Sequence, residues 1–368
     1  NVCYVHVTLV PYIKTAHELK TKPTQHSVRA LLELGVQPDI LVCRSEEPLD
    51  DDVKRKIALF ANMPPSRVVS AVDVQSIYEV PLRFAEERLD LSATAALHLD
   101  PRESDLKPWQ DLVELIYRPK PKVNIAIIGK YMKISTESYK SLAEALTHGG
   151  LANGVDVELM WVDAEALTDE NVERTLREAH GILVPGGFGE RGLEGKLRAI
   201  RTAREKKIPF FGICLGMQTA VIEFARNVLN LKGANSMEFD ETCPHPVIHF
   251  MADQSASVVK GGTMRLGAYP CYLKAETKSH RAYGAREIDE RHRHRLEFNN
   301  KYRLQMEDAG MIFAGQSPDG RLVEIVELPD HPWFVGCQFH PEFKSTPMKS
   351  HPLFREFIAA AVADENLI

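Results

Sequence analysis

The sequence predicts an α/β protein: a mostly parallel, doubly wound sheet in its longer second part, preceded by the end of a second α/β domain. Three observations predict this. Between residues 123 and 229, short runs rich in Val, Ile and Phe alternate with longer segments whose apolar residues recur every three or four positions, as crossover helices between parallel strands require. A shorter alternation of helix, strand and helix fills residues 24 to 62. Between them Arg118, Pro119, Lys120, Pro121 and Lys122 form a stiff, charged stretch that suits neither helix nor sheet, which places domains at 1–117 and 123–368 with a linker at 118–122.

Taken in order, Val2, Tyr4, Val5, Val7 and Leu9 read as a strand. The stripe Val28, Leu31, Leu32 reads as a helix, Ile40 to Cys43 as a buried strand, and Val53, Ile57 and Leu59 as a second helix. Pro108 to Tyr117 gives one more short amphipathic helix. Beyond the linker come strand Val123 to Ile128, helix Ser138 to Thr147 ended by Gly149 and Gly150, strand Val155 to Trp161, helix Asp169 to Glu178, and strand Gly181 to Val184. A helix over Gly195 to Lys206, strand Pro209 to Ile213 and helix Gly216 to Leu229 follow. After Ala234 the pattern turns to short strands and turns, closing on a helix from Pro352 to Ala363.

Composition narrows the function. The chain has 368 residues, and 45 basic against 51 acidic residues leave a net charge of -6, so no overall basic field draws it to nucleic acid or an anionic membrane. Six scattered cysteines lack the paired spacing of a zinc or redox site, and a reducing cytoplasm is the expected compartment. No residue is assigned to a metal. The start lacks an initiator methionine and leads straight into a strand, so the chain is expected to be part of a longer protein.

Chemistry concentrates at three strand ends. Cys214, in Gly212-Ile213-Cys214-Leu215-Gly216, stands between an apolar strand and a helix. Flanking glycines leave room for a strained elbow, and a helix amino terminus favours the thiolate. An arbitrary cysteine is more often a small core side chain; the elbow context reverses that. In Gln338-Phe339-His340-Pro341-Glu342, residues two apart share a face of extended backbone, so Glu342 can fix the tautomer of His340. A nucleophile, a base and an orienting acid thus occur in chain order Cys214, His340, Glu342. The turn Pro185-Gly186-Gly187-Phe188-Gly189 directly follows a strand, and the N–H groups of Gly186 and Gly187, with that of Leu215, would form an oxyanion hole.

PGGFG at 185–189, GICLGMQ at 212–218 and HPE at 340–342 resemble the triad glutaminases of the class I amidotransferases. That resemblance implies attack of Cys214 on the glutamine side-chain amide, proton donation by His340 to ammonia, and a thioester that water hydrolyses. It also implies glutamine binding by Gly187, Leu215, Gly216, Met217, Gln218, Glu238 and Arg295, a carboxylate and a guanidinium being what a zwitterion requires.

Further motifs make the whole chain similar to the CTP synthase family: KTKPTQHS at 20–27, KIALF at 56–60, YKS at 139–141, GGTMRLG at 261–267 and ERHRHR at 290–295. In that family ammonia converts UTP, phosphorylated at O4 by ATP, into CTP. The resemblance implies that Lys20, Thr21, Lys22, Pro23, Thr24, Gln25 and Lys56 hold UTP or CTP, and that Val72, Asp73 and Val74 lie on the ATP side. ATP with Mg2+, GTP as activator, CTP as feedback inhibitor and a homotetramer are implied likewise. No Gly-x-x-x-x-Gly-Lys-Ser/Thr loop occurs, so the chain as given is expected to perform only the glutaminase half, with the Mg2+ ligands outside it. The segment between Asp253 and Gly261 is shorter than the family's lid loop, which bears on GTP activation. Two alternatives stay open from the residues alone: a glutaminase serving another acceptor, as in GMP or carbamoyl phosphate synthesis, and a non-catalytic assembly module.

Overall fold

The structure is a computed structural model that describes residues 1–102, 104–130, 139–250 and 264–363. It divides into two compact units, Asn1–Arg118 and Pro119–Ile368. Ser138, the segment from Asp253 to Gly261 and the first three residues of the motif at 261–267 lie outside the described residues.

In the first unit, strands Val5–Leu9, Ile40–Ser45 and Val68–Val72 form a parallel sheet in that order. Helices Lys22–Glu33 and Asp51–Ala61 make the crossovers. Asp50 caps the second helix, accepting the Val53 N–H at 2.7 Å, with Asp51 and Asp52 in the first turn favouring its positive end. Val10, Val28, Leu41, Cys43, Ile57, Ala58 and Ala61 form the core on one face. Leu32 and Leu59, which the apolar periodicity puts inside, are exposed, and Ala58 and Ala61 take the buried stripe of the second helix.

Among the described residues, the second unit is built on a nine-stranded sheet, with Ala234–Ser236, His245–Phe250 and Leu296–Phe298 forming a smaller sheet of their own. Asp156–Asp163, Lys122–Gly129, Gly181–Val184, Phe210–Ile213 and Phe334–Cys337 lie side by side and parallel. In chain order they run 2-1-3-4-5, a doubly wound arrangement whose switch point lies between the carboxyl ends of Lys122–Gly129 and Gly181–Val184. Four strands from the region of short strands and turns extend this sheet antiparallel: Val323–Glu327, Ile312–Gln316, Arg265–Leu273 and Glu287–His294. Alternation along the first strand divides the core. Val123, Ile125 and Ile127 face Phe211, Phe354 and Phe357, whereas Ala126 and Ile128 face Ile182, Ile200 and Phe334.

Several expected boundaries move. The helix expected to end at Gly149 and Gly150 runs from Lys140 to Asn153 and ends on Gly154 in the left-handed conformation. Gly149 is internal because a Cβ there would meet the Phe354 carbonyl of the closing helix, Pro352–Val362, at 3.0 Å. The helix expected over Asp169–Glu178 shrinks to Val172–Thr175, since Asn171 Oδ1 accepts the Thr168 N–H and Asp169 is drawn to Arg198 and Arg201. Lys122 is the first residue of a strand, not part of a linker that cannot enter the sheet: Pro121 gives its carbonyl to Asp156 N–H, and pairing starts there.

Candidate active site

Strand Phe210–Ile213 stops where Cys214 takes φ 50° and ψ -102°, and helix Leu215–Asn227 starts on the next residue. That backbone is unfavourable for any residue with a Cβ and is held in place by its surroundings. Gly216 lies against the preceding strand so closely that a Cβ would meet the Val184 carbonyl oxygen at 2.0 Å. The Cys214 N–H donates to the Cys337 carbonyl at 2.7 Å, tying the elbow to the neighbouring strand.

That neighbouring strand delivers the histidine. Phe334–Cys337 pairs in register with Phe210–Ile213, Cys337 opposite Ile213, so the residues after Cys337 emerge beside Cys214. The His340 N–H is fixed by the Arg291 carbonyl at 2.8 Å. Its Nδ1 lies 2.8 Å from Glu342 Oε1, the ring stacks on Phe343 at 5.6 Å, and its side chain also bonds Cys214. Burial works against charge on this imidazole, but the hydrogen bonds to Cys214 and Glu342 and the nearby charges outweigh it and push His340 up to about 10. The ring is thus stabilised as an imidazolium between the Cys214 sulfur and the Glu342 carboxylate.

Gly186 lies over the pair: a Cβ there would reach His340 Cε1 at 2.7 Å and Cys214 Cβ at 3.6 Å. A cavity of about 190 Å³ opens beside them, lined by Tyr139, Ser141, Pro185 to Phe188, Cys214, Arg293, His340 and Glu342. It sits at the sheet's switch point, where doubly wound folds bind ligands.

The remaining sequence-predicted residues divide. Gly187 lines the cavity, whereas Glu238 and Arg295 are not on its wall; Glu238 Oε1 accepts the Gly189 N–H at 2.7 Å. The buried Gln218 spends its amide on the Leu296 carbonyl and on Gln338 Oε1, both at 3.1 Å. Arg293, which reads as part of a basic surface strand, is on the cavity wall. Strand Glu287–His294 alternates strictly, burying Glu290, His292 and His294 while Arg291 and Arg293 project outward. Burial, with the nearby Arg265, lowers His292 to about 2 and His294 to about 3, so both rings are neutral. Sequence reasoning missed Gln338, whose Nε2 lies 3.6 Å from Cys214 Sγ. Its place two residues before His340 was the available signal.

In the first unit, Thr21 stands at the N-cap position of the helix of Lys22 to Glu33 without a side-chain capping bond. Lys20 is paired with Glu18 at 2.6 Å, and that pairing, with a smaller effect of Lys56, lowers the Glu18 carboxyl. Thr24 is buried, donating to the Leu9 carbonyl at 2.9 Å, while Gln25 Nε2 donates to Thr21 Oγ1 at 3.0 Å. Asp73 follows strand Val68–Val72 and is ion-paired with Arg44. An open depression of about 560 Å³ is lined by Val7, Thr8, Leu9, Pro23, Ser27 and Arg44.

Comparison with known proteins bears on both units. The glutamine amidotransferase class-I family model matches residues 134–360, and the CTP synthase N-terminus model matches residues 1–99. The CTP synthase of Nitratidesulfovibrio vulgaris (strain DP4) is 58% identical over 369 residues, covering 97% of this chain and 67% of that protein. The chain belongs to the CTP synthase family. Its members are glutamine-hydrolysing ligases of pyrimidine biosynthesis. The CTP synthase of Geotalea uraniireducens (strain Rf4) is 57% identical, covering 98% of the chain and 68% of that protein. Among solved structures, the glutaminase domain of Trypanosoma brucei CTPS with bound acivicin is similar with a TM-score of 0.62 and 38% identity, over 65% of this chain and 94% of that one. The chain spans about two thirds of the length of the curated CTP synthases it matches. No helix among the described residues is long and apolar enough to cross a membrane.

Proposed function

We propose that the residues from Lys122 onward are the glutaminase domain of a CTP synthase, that 1–117 belong to its synthetase domain, and that 118–121 join them. The observation that carries the glutaminase reading is His340 held between Cys214 and Glu342 beneath Gly186. Cys214 Sγ, as thiolate, attacks the side-chain carbonyl carbon of glutamine. The carbonyl electrons move onto oxygen, where the N–H groups of Gly186, Gly187 and Leu215 receive them. His340 passes its proton to the amide nitrogen, the C–N bond breaks and ammonia leaves. Water, deprotonated by His340, then splits the thioester to give glutamate and restore the thiolate. Glu342 keeps the ring oriented and stabilises its charge. Gly187, Leu215 to Gln218, Glu238 and Arg295 hold the amino acid, with Glu238 and Arg295 reaching its α-groups after leaving their present partners. The acivicin-bound Trypanosoma domain supports a ligand in the corresponding domain.

Ammonia from this reaction aminates UTP activated by ATP, giving CTP, ADP and phosphate. Lys20 to Gln25 with Lys56 hold UTP or the inhibitor CTP; two lysines at a helix amino terminus suit a triphosphate. Val72 to Val74 lie toward ATP. Among the described residues no group of three or more His, Cys, Asp or Glu side chains could hold a metal, so no residue is assigned to the Mg2+ that accompanies ATP. GTP as activator, a homotetramer and a cytoplasmic location complete the proposal on the family's precedent.

The test is glutamate release from glutamine by this chain, with and without GTP, beside Cys214→Ala. Release that disappears in the variant supports the reading; release that survives in it refutes the assignment of Cys214. UTP titration of the chain and of Lys22→Ala separates this acceptor from those of other amidotransferases.

A further inference from the structure

We infer that Gln338 is a further catalytic residue of the glutaminase, donating a side-chain N–H to Cys214 Sγ in an orientation dictated by Gln218. The inference rests on the reading of Cys214 as nucleophile. Gln338 is completely buried, and its backbone N–H is fixed by the Glu324 carbonyl at 2.8 Å. Its Nε2 lies 3.6 Å from Sγ.

The two ends of an amide have nearly the same shape, so which end faces the sulfur has to come from the bonding network. The Leu296 carbonyl can only accept, which makes the Gln218 group 3.1 Å away its NH2. The same NH2 lies 3.1 Å from the far end of Gln338, and that end is therefore the oxygen. The end left for the sulfur is an NH2. A backbone carbonyl thus sets the polarity of two successive amides, and the last of them presents a donor to the nucleophile.

A donor aimed at a thiolate stabilises the charged form, more so where water cannot replace it. His340 bonds the same sulfur, so Cys214 has two side-chain partners and only one of them is a base. The other titratable or charged groups around Cys214 are Glu342 behind His340, Arg293 and Tyr139 on the cavity wall, and Cys337 on the adjacent strand, whose thiol burial holds far above its usual range. The ring of His294, in the layer behind, is neutral. Gln338 is the uncharged member of this set, so its removal takes a donor from the sulfur without removing a charge.

The experiment is the pH dependence of Cys214 alkylation by iodoacetamide in the full chain, followed by mass spectrometry of the Cys214 peptide. Gln338→Met keeps the volume and removes the donor. Its alkylation profile is expected to move up by about one pH unit, and alkylation to slow about tenfold below the midpoint. A profile that superimposes on that of the unaltered chain overturns the inference while leaving the triad in place. Should Gln338→Met fail to fold, Gln218→Leu carries the same test, because it frees the Gln338 amide to turn over: an upward displacement supports the relay and an unmoved profile overturns it. If Cys214 of the unaltered chain alkylates no faster than the buried Cys243, the nucleophile reading itself is wrong and the inference falls with it.

Discussion

The two units treat charge in opposite ways. In the second, Cys214, His340, Glu342 and Gln338 are buried or nearly so, each fixed by backbone pairing and by one another. In the first, Lys20 and Lys56 are only loosely held, and Lys20 rests on a carboxylate that is itself exposed. A covalent step needs atoms placed before the substrate arrives, and burial supplies that at the cost of tolerance to change. An anion-binding surface that must admit and release a large nucleotide works with screened, replaceable charges.

The largest effect that would break this contrast is at Cys214. Cys214→Ala is expected to lower glutamate release by at least about 10³-fold while ammonia-dependent synthesis by the intact enzyme is spared, as read by paired glutamine and ammonia assays. Glu342→Gln is expected to cost about 10²-fold in kcat and to move the alkaline limb of the pH profile to lower pH. The sign follows from His340, which is raised from its ordinary 6.5 to about 10. The stability this gives is fully present below about pH 6.5 and is lost as pH rises toward 10, so removing the carboxylate narrows that window; urea titrations at pH 6 and pH 9 check it. Gly216→Ala is expected to cost about 3 kcal/mol in urea unfolding, since its Cβ would strike the Val184 carbonyl. The smallest effect belongs to the first unit: Lys22→Ala should weaken UTP binding by less than about tenfold, and by less still at high salt. A loss of several hundredfold at Lys22, or salt-independence, would show that the nucleotide surface is as rigid as the glutaminase site.

Legibility in the sequence follows the same division. The parallel strands announced themselves because each is a local apolar run and each crossover helix has a local period; Gly181 to Val184 agrees at both ends. The antiparallel half did not, because pairing of Arg265–Leu273 with Glu287–His294 and with Ile312–Gln316 depends on partners tens of residues apart. Glu287–His294 is the instructive failure. Its charged letters suggest a solvated strand, yet Glu290, His292 and His294 are buried: Glu290 accepts from Tyr283 and pairs with His351, and the rings of His292 and His294 meet at 2.9 Å. The adjacency of Cys214, His340 and Glu342 was legible from elbow and spacing. Gln338 was not read, because its place two residues before His340 is a weak signal for an uncharged amide until its neighbours are seen.

The register between Phe210–Ile213 and Phe334–Cys337 has a consequence for the order of events in the cell. Cys214 leaves the ribosome well over a hundred residues before His340, so the elbow is made before the strand that brings the histidine to it. Helix Pro352–Val362, which closes Phe354 and Phe357 over Phe211, comes later still. Until that strand is made, a nascent chain has the elbow of Cys214 without the histidine that bonds it. On the proposed reading, glutamine hydrolysis therefore waits for strand Phe334–Cys337 and helix Pro352–Val362 to dock.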